Sequence, residues 1–239
     1  MNILCIGNSF SEDATRYLHQ ISDGELYVRN LYIGGCSLER HWNNIVSGAS
    51  EYEWQKNGRM LKMTSINEAI TKKKWDFVTV QQVSQDSGMI DTYEPYLTNI
   101  LNFIKENCPN AKIAFHRTWA YDDNSTHGGF VNYGNSRKKM IEEIIKVTGF
   151  YAKKHSLEVI PNGEAIEMAR DLAEFQGERN INRDGYHLSL DYGRYLAGLV
   201  MYGFFTKCDP TSVTYEPEKT DPEINKKLKQ IAKNLTYIK

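Results

Sequence analysis

Short apolar runs alternate with helix-like periodicity along this chain, and that alternation restricts the fold more than any other feature. The runs are Asn2 to Ile6, Leu26 to Ile33, Phe77 to Gln81, Lys112 to Phe115 and Leu157 to Ile160. They are too short for typical helices and too continuously apolar for strands with one wet face. Strands of a parallel sheet covered on both faces have this character. Helical patterns fill the intervals, over Glu12 to Ile21, Leu38 to Val46, Ile66 to Lys73, Tyr93 to Glu106, Asn135 to Lys154, Glu164 to Phe175 and Asp191 to Phe205. The expectation is an α/β fold, a three-layer α/β/α sandwich around a central parallel sheet of about five strands. A chain of 239 residues, 41% apolar and 25% charged, is long enough for one such core, so a single domain over 1–239 is expected.

One segment interrupts the alternation. Glu51 to Met63 carries Asn57-Gly58 between alternating residues, a two-residue hairpin signal. A β-hairpin inserted after the second strand is expected there. A Pro- and Thr-bearing loop, Pro210 to Thr220, then leads to a Lys-rich amphipathic helix over Pro222 to Leu235.

Charge and composition exclude several classes of function. The net charge is -1, which leaves no basic excess to neutralise phosphates, so no nucleic-acid partner is expected. The run Lys72-Lys73-Lys74 beside Trp75 and Asp76 reads as a solvated helix end. No stretch approaches the roughly 18 apolar residues of a membrane span, and no membrane partner is expected. Met1 to Ile6 is too short for a signal-peptide core and reads as the first buried strand. If Met1 is the natural start, a cytoplasmic protein is expected; a chain trimmed of a leader would be secreted or periplasmic. Cys5, Cys36, Cys108 and Cys208 form no CxxC pair, which argues against a zinc knuckle or a dithiol motif. Cys5 reads as a core residue, and a disulfide between two of the four is left open, as is the oligomeric state.

The chemistry-bearing residues lie near the two ends of the chain. The first strand runs into Gly7-Asn8-Ser9-Phe10-Ser11, with a helix following. Functional groups of open parallel sheets sit beyond the carboxyl ends of strands, which is where Ser9 falls. N–H groups at the helix start favour a developing oxyanion there. Serine also caps helices, so this segment alone leaves Ser9 or Ser11 as a plain cap equally open. The second segment, Arg183-Asp184-Gly185-Tyr186-His187-Leu188, puts Asp184 and His187 three apart just before a helix. A histidine activates a serine hydroxyl as general base, and a carboxylate orients its ring.

Together, Gly7-Asn8-Ser9 and Asp184-Gly185-Tyr186-His187 resemble the SGNH (GDSL-like) hydrolase superfamily, in its carbohydrate-esterase-like branch. That family has a Gly-Asn/Asp-Ser block after its first strand and a late Asp-x-x-His block, so the resemblance spans nearly the whole chain. The lipase G-x-S-x-G elbow is absent, which argues against the α/β-hydrolase fold. The resemblance implies a flavodoxin-like SGNH fold, Ser9 as nucleophile, and Asp184 and His187 as its partners. It also implies an oxyanion hole from the N–H groups of Ser9 and of a glycine after the second strand. Ile33-Gly34-Gly35-Cys36-Ser37 stands at that point, and Gly35 is the expected donor.

The third family block, Gly-x-Asn-Asp, is altered. Here the run is Gln81-Gln82-Val83-Ser84-Gln85-Asp86. Alignment through Asp86 puts Gln85 in the place of the family's Asn, where a longer arm offers the same amide donor. Gln82 is the rival, because some related carbohydrate esterases carry a Gln in this block.

His116-Arg117-Thr118-Trp119-Ala120-Tyr121 ends the fourth strand on the same rim. Trp119 and Tyr121, with Trp42, are candidate substrate-binding residues, set against the alternative of ordinary packing aromatics. His127, in Thr126-His127-Gly128-Gly129, falls on a candidate lid loop and is left unassigned. No residues show ligand spacing for zinc or calcium, so neither a metal nor another cofactor is expected. The expected activity is serine esterase chemistry on short-chain (acetyl) esters, with a small-molecule or oligosaccharide ester as substrate. Alternatives are a lipase or thioesterase on longer chains, a catalytically impaired carbohydrate-binding protein, and an acyltransferase using the same groups.

Overall fold

The computed structural model describes residues 1–177 and 179–237. In chain order the sheet strands are β1 (Asn2–Gly7), β2 (Tyr27–Tyr32), β3 (Tyr52–Lys56), β4 (Arg59–Thr64), β5 (Phe77–Val80), β6 (Lys112–His116) and β7 (Glu158–Ile160). The helices are α1 (Ser9–Thr15), α2 (Leu18–Ile21), α3 (Leu38–Ser47), α4 (Ile66–Thr71), α5 (Tyr96–Asn107), α6 (Arg137–His155), α7 (Asn162–Arg170), α8 (Tyr192–Thr206) and α9 (Pro222–Thr236).

The seven strands lie in the order β4-β3-β2-β1-β5-β6-β7. β1 pairs parallel with β2 on one side and with β5 on the other, and β6 and β7 continue in parallel. The five-strand parallel core is as the apolar runs predict, and the three-layer arrangement holds. Successive residues of β1 enter opposite layers, as the strand period requires. Ile3 and Cys5 pack beneath α1, α8 and their neighbours, whereas Leu4 and Ile6 pack beneath α3, α4 and α5.

The hairpin does more than decorate the core. β3 pairs antiparallel with β2 through Asn30–Gln55, Leu31–Trp54 and Tyr32–Glu53, so the insertion extends the sheet to seven strands. Asn57 and Gly58 both take positive φ (51° and 69°), as a tight turn matching the strand twist demands. Tyr52 and Trp54 are the buried apolar residues that anchor it.

Two helices differ from expectation. The first pattern, Glu12 to Ile21, is split into α1 and α2 and starts earlier, at Ser9. Asn8 is the cap: its Oδ1 accepts the Phe10 N–H at 3.0 Å. Neither Ser9 nor Ser11 serves that purpose, because Ser11 Oγ points back to Asn8 O and Asn30 Oδ1. The Glu164 to Phe175 pattern begins at Asn162 and ends at Arg170, followed by a 3₁₀ turn. Among the described residues no helix is long and apolar enough to cross a membrane. All four cysteines are free.

Candidate active site

The chain switches direction across the sheet between β1 and β5, which opens a crevice at their carboxyl ends. Ser9 follows β1 directly. The approach is close: a Cβ on Gly7 would stand 2.4 Å from Ser11 Oγ and 3.1 Å from the Gln81 amide carbon. Only glycine lets the strand end meet its neighbours this tightly.

Asn8 is buried and held from three directions. Its Nδ2 donates to Cys36 O, and its Oδ1 accepts from Phe10 N and from Gln81 Nε2 at 2.8 Å. Gln81 Oε1 in turn accepts from His116 Nδ1 at 2.8 Å, and Asn162 Nδ2 donates to His116 Nε2 at 2.9 Å. One chain of hydrogen bonds thus runs along the carboxyl rim, from Asn162 at the start of α7 to Cys36 in the turn after β2. Burial pushes the His116 pKa down to about 3, so its ring is neutral, as donating at Nδ1 and accepting at Nε2 requires.

The structure brings Ser9, Asp184 and His187 together. His187 Nε2 lies 2.9 Å from Ser9 Oγ, and His187 Nδ1 lies 2.7 Å from Asp184 Oδ2. The carboxylate fixes the tautomer: Nδ1 carries the proton and Nε2 accepts the serine hydroxyl. Asp184 Oδ1 also accepts the N–H groups of His187 (2.7 Å) and Tyr186 (3.2 Å). Burial pushes the Asp184 pKa up, but the bonds from His187 and Tyr186 outweigh it and hold the carboxyl below its ordinary value.

The loop bearing Asp184 and His187 belongs to no helix or strand, yet it is firmly tied. Asp13, one turn after Ser9 in α1 and 1% exposed, accepts Leu188 N at 2.9 Å, Arg183 Nη1 at 3.1 Å and Arg194 Nε at 2.8 Å. Both flanks of the Asp-x-x-His block are therefore bonded to the helix that carries the serine. Trp119 Nε1 and Asn182 Nδ2 both donate to Tyr186 O, at 2.7 and 3.0 Å, and Asp122 N donates to Gly185 O at 2.8 Å.

The cleft over Ser9 encloses about 240 Å³. Gly34, Gly35, Gln85, Tyr32, Tyr186 and His127 contribute to its walls. Gly35 takes a left-handed φ of 61°, and neither its N–H nor that of Ser9 donates to another group among the described residues. Gln85 has its side-chain amide unpaired among the described residues. Gln82 points elsewhere: its Oε1 accepts Leu38 N and Val83 N, and its Nε2 donates to Thr92. It fastens the start of α3 to the strand end and does not line the cleft. Burial, aided by the charges of Glu12, Glu53 and Asp13, raises the Tyr32 pKa and keeps its hydroxyl protonated. A larger hollow of about 590 Å³ opens at the opposite rim, between Ile70 to Asp76 and Asn107 to Ala111. It contains none of these groups. No group of three or more His, Cys, Asp or Glu among the described residues is arranged to hold a metal.

The aromatic candidates are corrected. Trp119 is fully buried, stacked on Phe10 at 4.3 Å, so neither ring face is open to a sugar. Tyr121 is fully buried and its hydroxyl pairs with Ser84 Oγ at 2.7 Å. Trp42, in α3, packs against the core on the other side of the sheet and does not line the cleft. The aromatic walls are instead Phe10, Tyr32 and Tyr186. Tyr186 lies inside the Asp-x-x-His block and Tyr32 just ahead of the Gly34-Gly35 turn, so proximity to those motifs was the signal available.

Fold and rim together place the chain in the architecture of the SGNH and GDSL-like hydrolases. Similar solved structures include a member of the lipolytic protein G-D-S-L family from Veillonella parvula DSM 2008 (16% identity, TM-score 0.55, covering 87% of this chain and 100% of that one). The acetyl xylan esterase AlAXEase is similar at 13% identity and TM-score 0.57, over 85% of this chain and 98% of that one. These likenesses concern the fold. Residues 2–239 match the family described as Domain of unknown function (DUF4886), and the chain belongs to it. A DUF4886 family protein from Bacteroides uniformis ATCC 8492 is 38% identical with TM-score 0.90, covering 98% of this chain and 93% of that one. No curated protein matches the chain.

Proposed function

We propose that this protein is a serine esterase that hydrolyses short-chain acyl esters, acetyl esters of carbohydrates in particular, through an acyl-enzyme. The observation that carries the reading is the continuous contact from Asp184 through His187 to Ser9, at 2.7 and 2.9 Å. His187 takes the Ser9 proton at Nε2 as Oγ attacks the ester carbonyl. Asp184 holds the ring and stabilises its cation. The N–H groups of Ser9 and Gly35 and the Gln85 amide receive the oxyanion. His187 then returns the proton to the leaving alcohol, and a water repeats the sequence to release the acid.

The small cleft favours a short acyl group, since a long chain needs apolar volume that about 240 Å³ walled partly by polar groups does not offer. A site with room for a long chain would gain about 0.8 kcal/mol per added CH₂, so its rates would climb with acyl length. The oxygen-rich alcohol is favoured by the polar tips of Tyr32 and Tyr186. An acetyl xylan esterase has a similar fold, which is in line with this substrate class.

The test pairs a serine-directed fluorophosphonate with a C2-to-C10 p-nitrophenyl ester series. Wild type is expected to label at Ser9 alone, and Ser9→Ala to lose on the order of 10⁶ in turnover. Acetyl is expected to exceed octanoyl by at least about tenfold in kcat/KM. Labelling elsewhere overturns the nucleophile, and rates rising to C8 replace the acetylesterase with a lipase or thioesterase.

A further inference from the structure

Beside the triad, the oxyanion donors and the two tyrosines, the cleft wall carries a further polar side chain, His127. Its loop stands over the site between two of the groups already named. The ring is 4.9 Å from that of Tyr186 and 4.8 Å from that of Tyr121, and a Cβ on the nearby Gly129 would collide with Gln85 Cβ at 2.5 Å. Tyr186 in turn packs on His187 at 4.2 Å. His127 is thus held in place by packing on several sides.

Its tautomer is also set. The Gly129 N–H donates to His127 Nδ1 at 3.1 Å, so Nδ1 is the unprotonated nitrogen and Nε2 carries the hydrogen. Nε2 has no partner among the described residues, and the residue lines the cleft. Burial, and then the neighbouring His187, lower the His127 pKa, against a smaller opposite pull from Asp184. The ring therefore stays neutral near pH 7 and presents a single fixed N–H.

The side of the cleft matters. His187 must deliver a proton to the leaving oxygen, so that oxygen lies within about 3 Å of Nε2 of His187 during turnover. His127 packs on Tyr186, which packs on His187, so it borders the side of the cleft that His187 faces.

We propose that His127 is a specificity-determining residue for the alcohol portion of the ester: its Nε2–H donates to a second oxygen of that alcohol, selecting polyols and sugars over simple alcohols. This rests on the esterase reading above. A neutral donor of this kind discriminates by about tenfold between alcohols with and without the matching acceptor.

The experiment uses the full chain and two esters, a mono-O-acetylated methyl glucoside and phenyl acetate, which has no second oxygen on its alcohol. His127→Asn keeps an acceptor for the Gly129 N–H and removes the Nε2 donor. His127→Gln restores an amide N–H near the Nε2 position. Expected is a loss of about tenfold in kcat/KM for the sugar ester with His127→Asn, a change under about twofold for phenyl acetate, and recovery of most of the loss with His127→Gln. Phenyl acetate turnover also reports whether each variant is folded. Equal losses on both esters, or an unchanged sugar ester, overturn the proposal. So does a wild type that hydrolyses phenyl acetate and ignores the sugar ester, although the esterase reading then stands. A wild type that hydrolyses neither overturns the esterase reading and this one with it.

Discussion

Ser9 and His187 meet across 2.9 Å, yet different kinds of structure hold them there. Ser9 stands at a strand-to-helix junction, with β1 paired on both sides and Asn8 capping the helix that follows. Its place follows from backbone geometry, reinforced along the rim by Asn8, Gln81, His116 and Asn162. His187 sits on irregular chain whose position depends on side chains: Asp13 and Trp119 reach in from elsewhere, and Asn182 bonds from within the same segment. A regular element tolerates loss of one contact because its ladder remains. A loop fixed by a few buried polar groups has no such reserve, since each lost partner strands another.

The largest test of that contrast is Asp13→Ala. It leaves the charges of Arg183 and Arg194 facing an empty place, and breaking a buried charge pair typically costs about 3–5 kcal/mol. Denaturant unfolding should show a loss of that order. If Asp13 also positions His187, kcat should fall by more than about tenfold with KM nearly unchanged, and Asp13→Asn, which keeps an acceptor for Leu188 N–H, should recover part of kcat. A variant that loses stability alone would make Asp13 a structural residue only.

The next effect separates two glutamines three residues apart. Gln85→Ala removes the proposed oxyanion donor and is expected to lower turnover by roughly 10² to 10³ with little change in stability. Gln82→Ala should do the reverse, since it leaves the Leu38 and Val83 N–H groups unpaired at a cost of about 1–3 kcal/mol in stability. If Gln82→Ala loses more turnover than Gln85→Ala, the oxyanion assignment moves to Gln82.

The smallest effect probes the Ser9 side. Burial pushes His116 down to about 3, and burial with the Arg40 charge does the same for His41. Between about pH 6.5 and pH 3 the unfolded chain therefore binds more protons than the folded one. Stability is full above pH 6.5 and falls as pH drops, by about 1.4 kcal/mol per unit for each histidine. Urea titrations at pH 6 and pH 5 should show this slope, and His116→Gln should remove about 1.4 kcal/mol per unit of it. An unchanged slope would mean that His116 is not held neutral.

Much of this was readable in the chain itself. Mostly apolar runs bounded by glycine and polar residues located β1, β2, β5, β6 and β7, because a strand covered on both faces has few positions open to water. Asn57-Gly58 announced the hairpin because few residue pairs accept two positive φ values. Gly7-Asn8-Ser9 and Asp184 to His187 stood out because chemistry at a strand end needs those residue types at those spacings. The cap at Asn8 went unread, since Asn8, Ser9 and Ser11 are all competent caps and only the surroundings choose between them.

What the sequence determined by itself was local: which segments pair or coil, and which residues carry reactive groups. Only the tertiary structure decided which way side chains face and what covers them. Trp119 and Tyr121 lie on the rim in sequence but are sealed by Phe10 and Ser84, whereas Tyr32 and His127 stand open to the cleft. Burial is a property of neighbours distant in the chain, as is the link from Asp13 to Leu188 across 175 positions, and no local pattern encodes either.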